Sequence, residues 1–334
     1  MALLGITGGV LAFEPEIDFL LHHGIAHVRP GGGVLSLAEI SAAVSRKFPG
    51  EPIVAYFPSE SSDLAIQVIL SRGIVSVNQY TGEILGVRTR GQSFLGIIRA
   101  LHVRLAMGDI GRLILKWSSL AMLVSLLSGF YLWLPAKRMR IAGAWWSARF
   151  WYDLHSSIGF FALIPALLLA GTGVVFGFEN EFAALMDKVS TSRTPREDRN
   201  VVRSTSQTGA TEITADEAVK IASAQLPGAL PYRVQMPRYG GLYVVALDYP
   251  QNRVTGRRNF ISVDPVSGRV VSANLSSDLT LGERFIAWNG TIHTGRIWGM
   301  PSRIIAALAS ILLPIQGASG LLIWLRRKGL LHGT

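Results

Sequence analysis

The sequence predicts a membrane α-helical bundle of four helices, the first of them truncated, with two extracytoplasmic α+β modules and an internal two-fold repeat. Three observations predict it: dense apolar blocks separated by long polar stretches, duplication of the segments that contain those blocks, and basic residues concentrated in short loops. Hydrophobic residues make up 49% of the 334-residue chain, a composition typical of a membrane protein with extramembrane parts.

The apolar blocks define the expected spans. Three blocks are long enough to cross a bilayer, which takes about 20 apolar residues: Leu113–Leu134, His155–Phe178 and Ile304–Leu325. A fourth, Met1–Phe13, is too short alone, but residues 1–16 align with residues 166–181, which start near the middle of the third block. We therefore expect the first span to lack its first half, and a histidine equivalent to His155 about ten residues before Met1.

Charge sets the expected orientation. Residues 135–150 contain four basic side chains and no acid, and the C-terminal end carries Arg326-Arg327-Lys328. The positive-inside rule places both segments in the cytoplasm, so the long polar segments are extracytoplasmic. Because much of the net charge of +10 lies beside the apolar blocks, topology explains that charge better than nucleic-acid binding does.

These observations give the expected division of the chain. It consists of a truncated first span over 1–18, a first module over 19–111, the second span over 112–134, a basic cytoplasmic loop over 135–152, the third span over 153–178, a second module over 179–302, the fourth span over 303–325 and a cytoplasmic tail over 326–334.

The two extramembrane modules have matching local signals. Ser36 with Glu39, and Thr214 with Glu217, have the spacing of capping boxes at helix N-termini. Each predicted helix is followed by β-rich runs with a Thr-Gly or Ser-Gly turn, which favours a helix packed on a small antiparallel sheet. Neither module has a nucleophile–base pair or a phosphate-binding glycine loop, so we expect binding or spacing there. Residues 190–212 are typical of a linker.

Histidines recur at equivalent positions. Residues 102–134 align with residues 293–325 without a gap, which places His102 on His293. The chain has no cysteine, so disulfides, thiolate metal sites, iron–sulfur clusters and covalent c-type haem are excluded. Any redox cofactor must be held non-covalently by histidine or methionine. Duplicated spans with duplicated histidines point to paired ligands and electron transfer.

The order of these motifs resembles the PepSY-associated transmembrane helix family, and the resemblance covers nearly the whole chain. The residues that carry it are Thr7-Gly8 to Glu16, Leu101-His102, Ser128-Gly129 to Trp133, Asp153-Leu154-His155, Thr172-Gly173 to Glu181, Ile292-His293-Thr294-Gly295 and Ser319-Gly320 to Trp324. The resemblance implies PepSY-like modules and a haem-containing inner-membrane reductase of ferric siderophores. The absent start of the first helix is a departure from the family pattern.

Haem b, in one or two copies, is the cofactor that this resemblance implies. Two axial imidazoles suit an electron-carrying haem, because six-coordinate iron changes its oxidation state with little reorganisation. We expect His102 and His293 to hold one haem at the extracytoplasmic ends of the second and fourth spans. His155, which we expect to open the third span on the cytoplasmic side, would hold a second haem together with the histidine expected upstream.

Other charged and polar residues have two interpretations each. Arg104, Arg112, Arg296 and Arg303 flank the paired histidines and either bind haem propionates or anchor helix ends at the headgroups. The recurring Glu14, Glu16, Glu179 and Glu181 are expected at helix C-terminal ends, paired with those arginines. Gln316 is expected to form an inter-helix hydrogen bond, and Lys116 to extend to the interface. His22, His23 and His27 are expected in a solvated loop.

The expected function is an inner-membrane haem b oxidoreductase that passes electrons across the membrane, reduces a periplasmic ferric siderophore and releases Fe(II). Its partners would be the ferric siderophore, a cytoplasmic or membrane electron donor such as a flavin or quinol, and the lipid bilayer, with no nucleic acid. The alternative is a non-enzymatic PepSY membrane protein that binds a partner or metallophore and regulates uptake or proteolysis. For each single histidine, an interfacial anchor remains the competing interpretation. A transporter built on the repeats is a third, weaker one.

Overall fold

A computed structural model describes residues 1–59, 61–89, 93–135, 137, 139–189, 212–238, 241–249 and 259–330. These residues form ten helices and eight strands, which divide into two compact units. The helical unit comprises Met1–Glu14, Phe94–Ser190 and Leu281–Thr334, and the sheet unit comprises Pro15–Ser93 and Thr191–Thr280. Nearly all of the predicted linker, over 190–211, lies outside the described residues, as does His332.

The helices, in chain order, are α1 (Ala2–Leu11), α2 (Glu14–Ala26), α3 (Leu37–Lys47), α4 (Phe94–Arg104), α5 (Gly108–Trp133), α6 (Ala148–Gly177), α7 (Glu179–Val189), α8 (Ala215–Gln225), α9 (Leu281–His293) and α10 (Met300–Arg327). The strands are β1 (Ile53–Phe57), β2 (Ile66–Leu70), β3 (Gly73–Val77), β4 (Ile84–Thr89), β5 (Leu230–Gln235), β6 (Tyr243–Asp248), β7 (Asn259–Val263) and β8 (Val270–Asn274).

Three helices, α5, α6 and α10, are long and apolar enough to cross a membrane, by length and composition. They have 26, 30 and 28 residues, and a rise of about 1.5 Å per residue carries each of them across a hydrocarbon core of about 30 Å. The three complete spans predicted from the sequence are therefore confirmed as candidates. The apolar α1 has only 10 residues, so the four-helix bundle and the internal two-fold repeat stay predictions.

The third span begins earlier than expected. The Ser147 side chain accepts a hydrogen bond from the Phe150 N–H and caps α6, which starts at Ala148. His155 consequently lies two turns inside the helix and does not open it. The prediction was wrong because apolar composition marks only the lipid-length part of a helix, whereas the cap sets its start.

Close helix contacts in the helical unit depend on glycine. A Cβ added at Gly5 of α1 would lie 2.3 Å from the Ser310 carbonyl oxygen of α10. One added at Gly177 of α6 would lie 3.0 Å from the Lys116 Cα of α5. The missing side chains let the backbones approach, as is common between membrane helices.

The sheet unit contains one antiparallel sheet with the strand order β4-β3-β2-β1-β5-β6-β7-β8. Each half has the predicted helix and strands, but β1 pairs with β5 through Ala55 with Gln235 and Tyr56 with Val234. The two expected modules are thus one continuous unit. Pairing of β1 with β5 satisfies the backbone groups that two separate sheets would leave exposed at their edges.

The two halves also share one hydrophobic core and a helix cap. Both predicted capping boxes are confirmed at Ser36 and Thr214. In addition, the Asp216 carboxylate of α8 accepts hydrogen bonds from the N–H groups of Leu37 at 2.8 Å and Ala38 at 3.0 Å. The start of α3 is therefore stabilised by a carboxylate from the other half, at the end of the helix where a negative charge is favourable.

The unit boundaries differ from the sequence-based division. Helices α4, α7 and α9, which were expected inside the modules over 19–111 and 179–302, pack with the long helices. Each is apolar on part of its surface and lies next to a span in sequence, so local packing assigns it to the helical unit. Glu14 and Glu179 begin α2 and α7 and do not end α1 and α6. That position favours an acid, contrary to the expectation.

Candidate metal centre

The structure brings His102 and His293 together in the helical unit. His102 lies near the end of α4 and His293 is the last residue of α9. The centres of the two imidazole rings are 6.2 Å apart, and the ring planes are inclined at 51°. Two segments that the alignment matched in sequence thus meet in space.

The turn after α9 fixes the position of His293. Gly295 has φ of +67°, and an added Cβ would lie 2.9 Å from both the Ala306 Cβ and the Ser302 carbonyl oxygen. Both the left-handed backbone and the lack of space require glycine there. The Ser302 hydroxyl donates to the Gly295 carbonyl oxygen at 2.5 Å, which holds the end of α9 against the start of α10.

Each imidazole is bonded through Nδ1 to a threonine of a neighbouring helix. The Thr7 Oγ1 of α1 lies 3.0 Å from His102 Nδ1, and the Thr172 Oγ1 of α6 lies 2.8 Å from His293 Nδ1. The next residue along is glycine in both cases. A Cβ added at Gly8 would lie 3.1 Å from His102 Cε1, so glycine makes room for the ring. The recurring Thr-Gly pair supports the histidine, a role that the sequence analysis missed although the repeated spacing signalled it.

Burial keeps both imidazoles neutral. Desolvation, reinforced by the neighbouring His102, lowers the pKa of His293 to about 4. Desolvation also lowers the pKa of His102, with a smaller contribution from the Arg99 charge. A neutral imidazole retains a nitrogen lone pair and can ligate a metal at neutral pH.

The pair has the spacing of two ligands on one metal ion. Metal–imidazole bonds of about 2 Å place the two ligating nitrogens roughly 4 Å apart and the ring centres roughly 6 Å apart. The observed ring separation of 6.2 Å agrees with that value. Within the described residues, no group of three or more His, Cys, Asp or Glu side chains could hold a metal ion. Two imidazoles are the number of protein ligands that a six-coordinate haem takes.

The family comparison agrees with this helical organisation. A family model described as PepSY-associated TM region matches residues 1–327. The chain belongs to this PepSY-associated family. No match was found among the curated proteins with which it was compared. Membership in a TM-region family and the three apolar helices together identify a membrane protein.

In this PepSY-associated protein, His155 of α6 is held by residues of α10. Its Nδ1 lies 3.0 Å from the Ser319 Oγ of α10, and a Cβ added at Gly320 would lie 3.2 Å from its Cε1. The Gln316 amide nitrogen lies 3.0 Å from the His155 carbonyl oxygen and 3.3 Å from its Nε2. The predicted inter-helix hydrogen bond of Gln316 is therefore confirmed. Along α6, His155 and Thr172 are roughly 25 Å apart at about 1.5 Å per residue.

The arginines that flank the histidines differ in their surroundings. Arg104, Arg112 and Arg296 are exposed. The Arg303 guanidinium donates to the Ala12 carbonyl oxygen at 2.8 and 2.6 Å and lies 5.3 Å from the centre of the Phe13 ring. It therefore satisfies a carbonyl oxygen at the C-terminal end of α1.

Two of the four recurring glutamates pair with basic residues other than the arginines that were expected. Glu14 forms an ion pair with Arg99 of α4, and the Glu181 carboxylate accepts from Lys116 Nζ at 2.6 Å. Lys116 also lies 4.1 Å from the centre of the Phe178 ring. The flanking arginines were predicted as partners from their recurrence, but the helix packing puts Arg99 and Lys116 within reach.

The first histidine cluster belongs to the sheet unit, whereas the His102–His293 pair belongs to the helical unit. His23 and His27 have ring centres 4.6 Å apart, with Phe19 in edge contact with both. His22 and His23 are in α2, which deviates from helical geometry at His22, and His27 follows it. The three residues were predicted in a solvated loop, but most of the segment is helical. Phe19 and the two rings form an aromatic contact there.

Proposed function

We propose that this PepSY-associated protein is a haem b oxidoreductase of the bacterial inner membrane. It takes electrons from a flavin or quinol, passes them outward and reduces a ferric siderophore in the periplasm. The observation that carries the proposal is the His102–His293 pair, with neutral imidazoles whose Nδ1 atoms are already bonded to threonine. One-electron reduction converts Fe(III) to Fe(II), which hard oxygen ligands hold less tightly, so the metal is released.

The residues of the pair fit a haem. His102 and His293 would hold the haem iron through Nε2, since Nδ1 of each ring is bonded to threonine. Bound haem supplies reversible one-electron chemistry. The chain contributes the ligand nitrogens, holds both rings in place through α1 and α6, and keeps the imidazoles neutral by burial. The exposed side chains of Arg104, Arg112 and Arg296 could donate hydrogen bonds to the haem propionates.

A second haem site at His155 extends the proposal towards the cytoplasm. His155 has the same type of hydroxyl partner on Nδ1 as the paired histidines. Its Nε2 lies 3.3 Å from the Gln316 amide nitrogen, so haem binding there would require the Gln316 side chain to turn away. Because His155 and Thr172 are roughly 25 Å apart along α6, the two proposed redox sites would lie near opposite ends of one span. We further propose that the basic ends of α6 and α10 face the cytoplasm and that the sheet unit is periplasmic.

The first test is an optical spectrum of the full chain, expressed with haem supplementation and purified in detergent. We expect sharp low-spin bands in the reduced-minus-oxidised spectrum, lost or converted to high-spin in His102→Ala and in His293→Ala. His23→Ala is the matched control, because this histidine is exposed in the sheet unit, and it should leave the bands unchanged. Folded protein without haem bands would refute the proposal.

A second candidate function is non-enzymatic binding of a partner or metallophore through the sheet unit. The observation that favours it is the eight-stranded sheet, whose end strands β4 and β8 are each paired on one side only and could receive a further strand. Under this alternative, His102→Ala and His293→Ala would leave iron uptake unchanged, whereas exposed substitutions on β4 or β8 would abolish it. Uptake of ferric siderophore by cells carrying each variant separates the two functions.

A further inference from the structure

Each threonine hydroxyl at the histidine pair lies between an imidazole and two carbonyl oxygens of its own helix, the farther of which are Leu4 at 3.3 Å from Thr7 and Leu169 at 3.1 Å from Thr172. Thr7 Oγ1 lies 2.7 Å from the Leu3 carbonyl oxygen and 3.0 Å from His102 Nδ1. Thr172 Oγ1 lies 2.6 Å from the Leu168 carbonyl oxygen and 2.8 Å from His293 Nδ1. A hydroxyl has one proton to donate and a carbonyl oxygen can only accept. Because the contact to the carbonyl oxygen is the shorter one in both cases, we assign the hydroxyl proton to the carbonyl, and the hydroxyl oxygen then accepts from the imidazole.

This direction of donation determines the tautomer of both histidines. If Nδ1 carries the proton that the hydroxyl accepts, Nε2 carries the lone pair. Both threonines are buried, with exposed fractions of 1% for Thr7 and 8% for Thr172, so water cannot readily replace their oxygens. We propose that Thr7 and Thr172 are positioning residues that fix the Nε2-ligating tautomer and thereby set haem affinity and midpoint potential. This inference rests on the proposed haem function.

The same arrangement recurs where different helices and a different residue type are involved. The Ser319 hydroxyl lies 3.1 Å from the Gln316 carbonyl oxygen and 3.0 Å from His155 Nδ1. Again a hydroxyl lies between a carbonyl oxygen of its own helix and the Nδ1 of an imidazole. A hydroxyl that is itself hydrogen-bonded to a carbonyl is a better acceptor, because the two bonds polarise each other.

The expected consequence follows from the chemistry of the outer hydrogen bond. An acceptor on Nδ1–H increases the electron donation of the imidazole, which stabilises Fe(III) more than Fe(II) and keeps the midpoint potential low. Removal of such a partner typically lowers metal affinity by about 10–100-fold, and we expect a loss of about that size when the threonine hydroxyl is removed. It also leaves a buried N–H without an acceptor.

The experiment compares Thr7→Val and Thr172→Val with Thr7→Ser and Thr172→Ser in the full chain. Valine keeps the shape and removes the acceptor, whereas serine keeps the acceptor. We expect the valine variants to bind added haemin about 10–100-fold more weakly and to have a raised midpoint potential in a spectroelectrochemical titration. The serine variants should return both values to those of the unsubstituted protein. Ser125→Ala is the control, since this hydroxyl likewise donates to a carbonyl oxygen of its own helix, that of Ala121 in α5 at 2.8 Å, and its loss should change neither value.

Two results would overturn the inference while leaving the proposed function intact. One is a valine variant with low-spin haem and unchanged affinity and potential. The other needs no threonine variant and covers the case in which valine prevents folding. In ¹⁵N-histidine spectra of the unsubstituted, haem-free protein, assigned with His102→Gln and His293→Gln, both rings should be Nδ1-protonated, and Nε2 protonation would contradict the inference. Failure of the proposed function itself is distinguished by the absence of haem bands in the unsubstituted protein.

Discussion

The closest backbone approach at the histidine site gives the sharpest stability prediction. Gly5 lies two residues before Thr7 in α1. A Cβ added at Gly5 would be 2.3 Å from the Ser310 carbonyl oxygen and 3.0 Å from Pro314 Cδ. Carbon–oxygen contacts are normally about 3.3–3.6 Å. In Gly5→Ala, α1 must therefore move away from α10 by about 1 Å, and such overpacking typically costs about 1–3 kcal/mol.

The matched control is Gly317→Ala in the interior of α10, where an added Cβ meets nothing within 4 Å. Alanine favours a helix over glycine by about 1 kcal/mol, so this variant should be neutral or slightly more stable. The assay is thermal unfolding of detergent-solubilised, haem-free protein, followed by circular dichroism at equal protein and detergent concentrations. Because α1 also holds Thr7 against His102, Gly5→Ala should weaken haemin binding as well. Equal stability of the two variants would refute the packing argument.

The remaining predictions concern the sheet unit and pH. Asp216→Ala removes the acceptor of two N–H groups at the start of α3 and should lower the free energy of unfolding by about 1 kcal/mol, measured by denaturant titration. The control Glu83→Ala removes an equal charge from an exposed site and should leave the free energy of unfolding unchanged. If both variants lose the same free energy of unfolding, the loss comes from charge and not from the helix cap. For the haem-free protein, the lowered pKa of His293 means that the unfolded chain binds its proton first. Its contribution to stability is complete above about pH 6.5 and is lost as the pH falls towards about 4. The thermal midpoint should fall less steeply with falling pH across this range in His293→Gln than in the unsubstituted protein. An equal dependence on pH in the two proteins would contradict this assignment to His293.

Features encoded by neighbouring residues were predicted well from the sequence. The three long apolar helices follow from composition over a window of bilayer length. The capping boxes at Ser36 and Thr214 follow from residues three positions apart. The proximity of His102 and His293 could be inferred because the segments that contain them align. Metal binding by this pair stays a prediction.

Contacts between segments that are distant in the chain could not be predicted from the sequence. Backbone pairing of β1 with β5 has no side-chain signature, because any two strand edges offer the same N–H and C=O groups. The pairing of Glu14 with Arg99, in place of the arginines expected, depends on which helix faces bring their side chains within reach.

By itself, the sequence determined the membrane class, the family and the identity of the two histidines, since all three depend on composition or motif order. Only the tertiary structure decided that Thr7 and Thr172 lie on Nδ1 of those histidines. A hydrogen bond between residues of different helices depends on the distance and rotation of the helices about their axes. Those quantities arise from the packing of many small contacts, such as Gly5 against α10, and no single motif contains them.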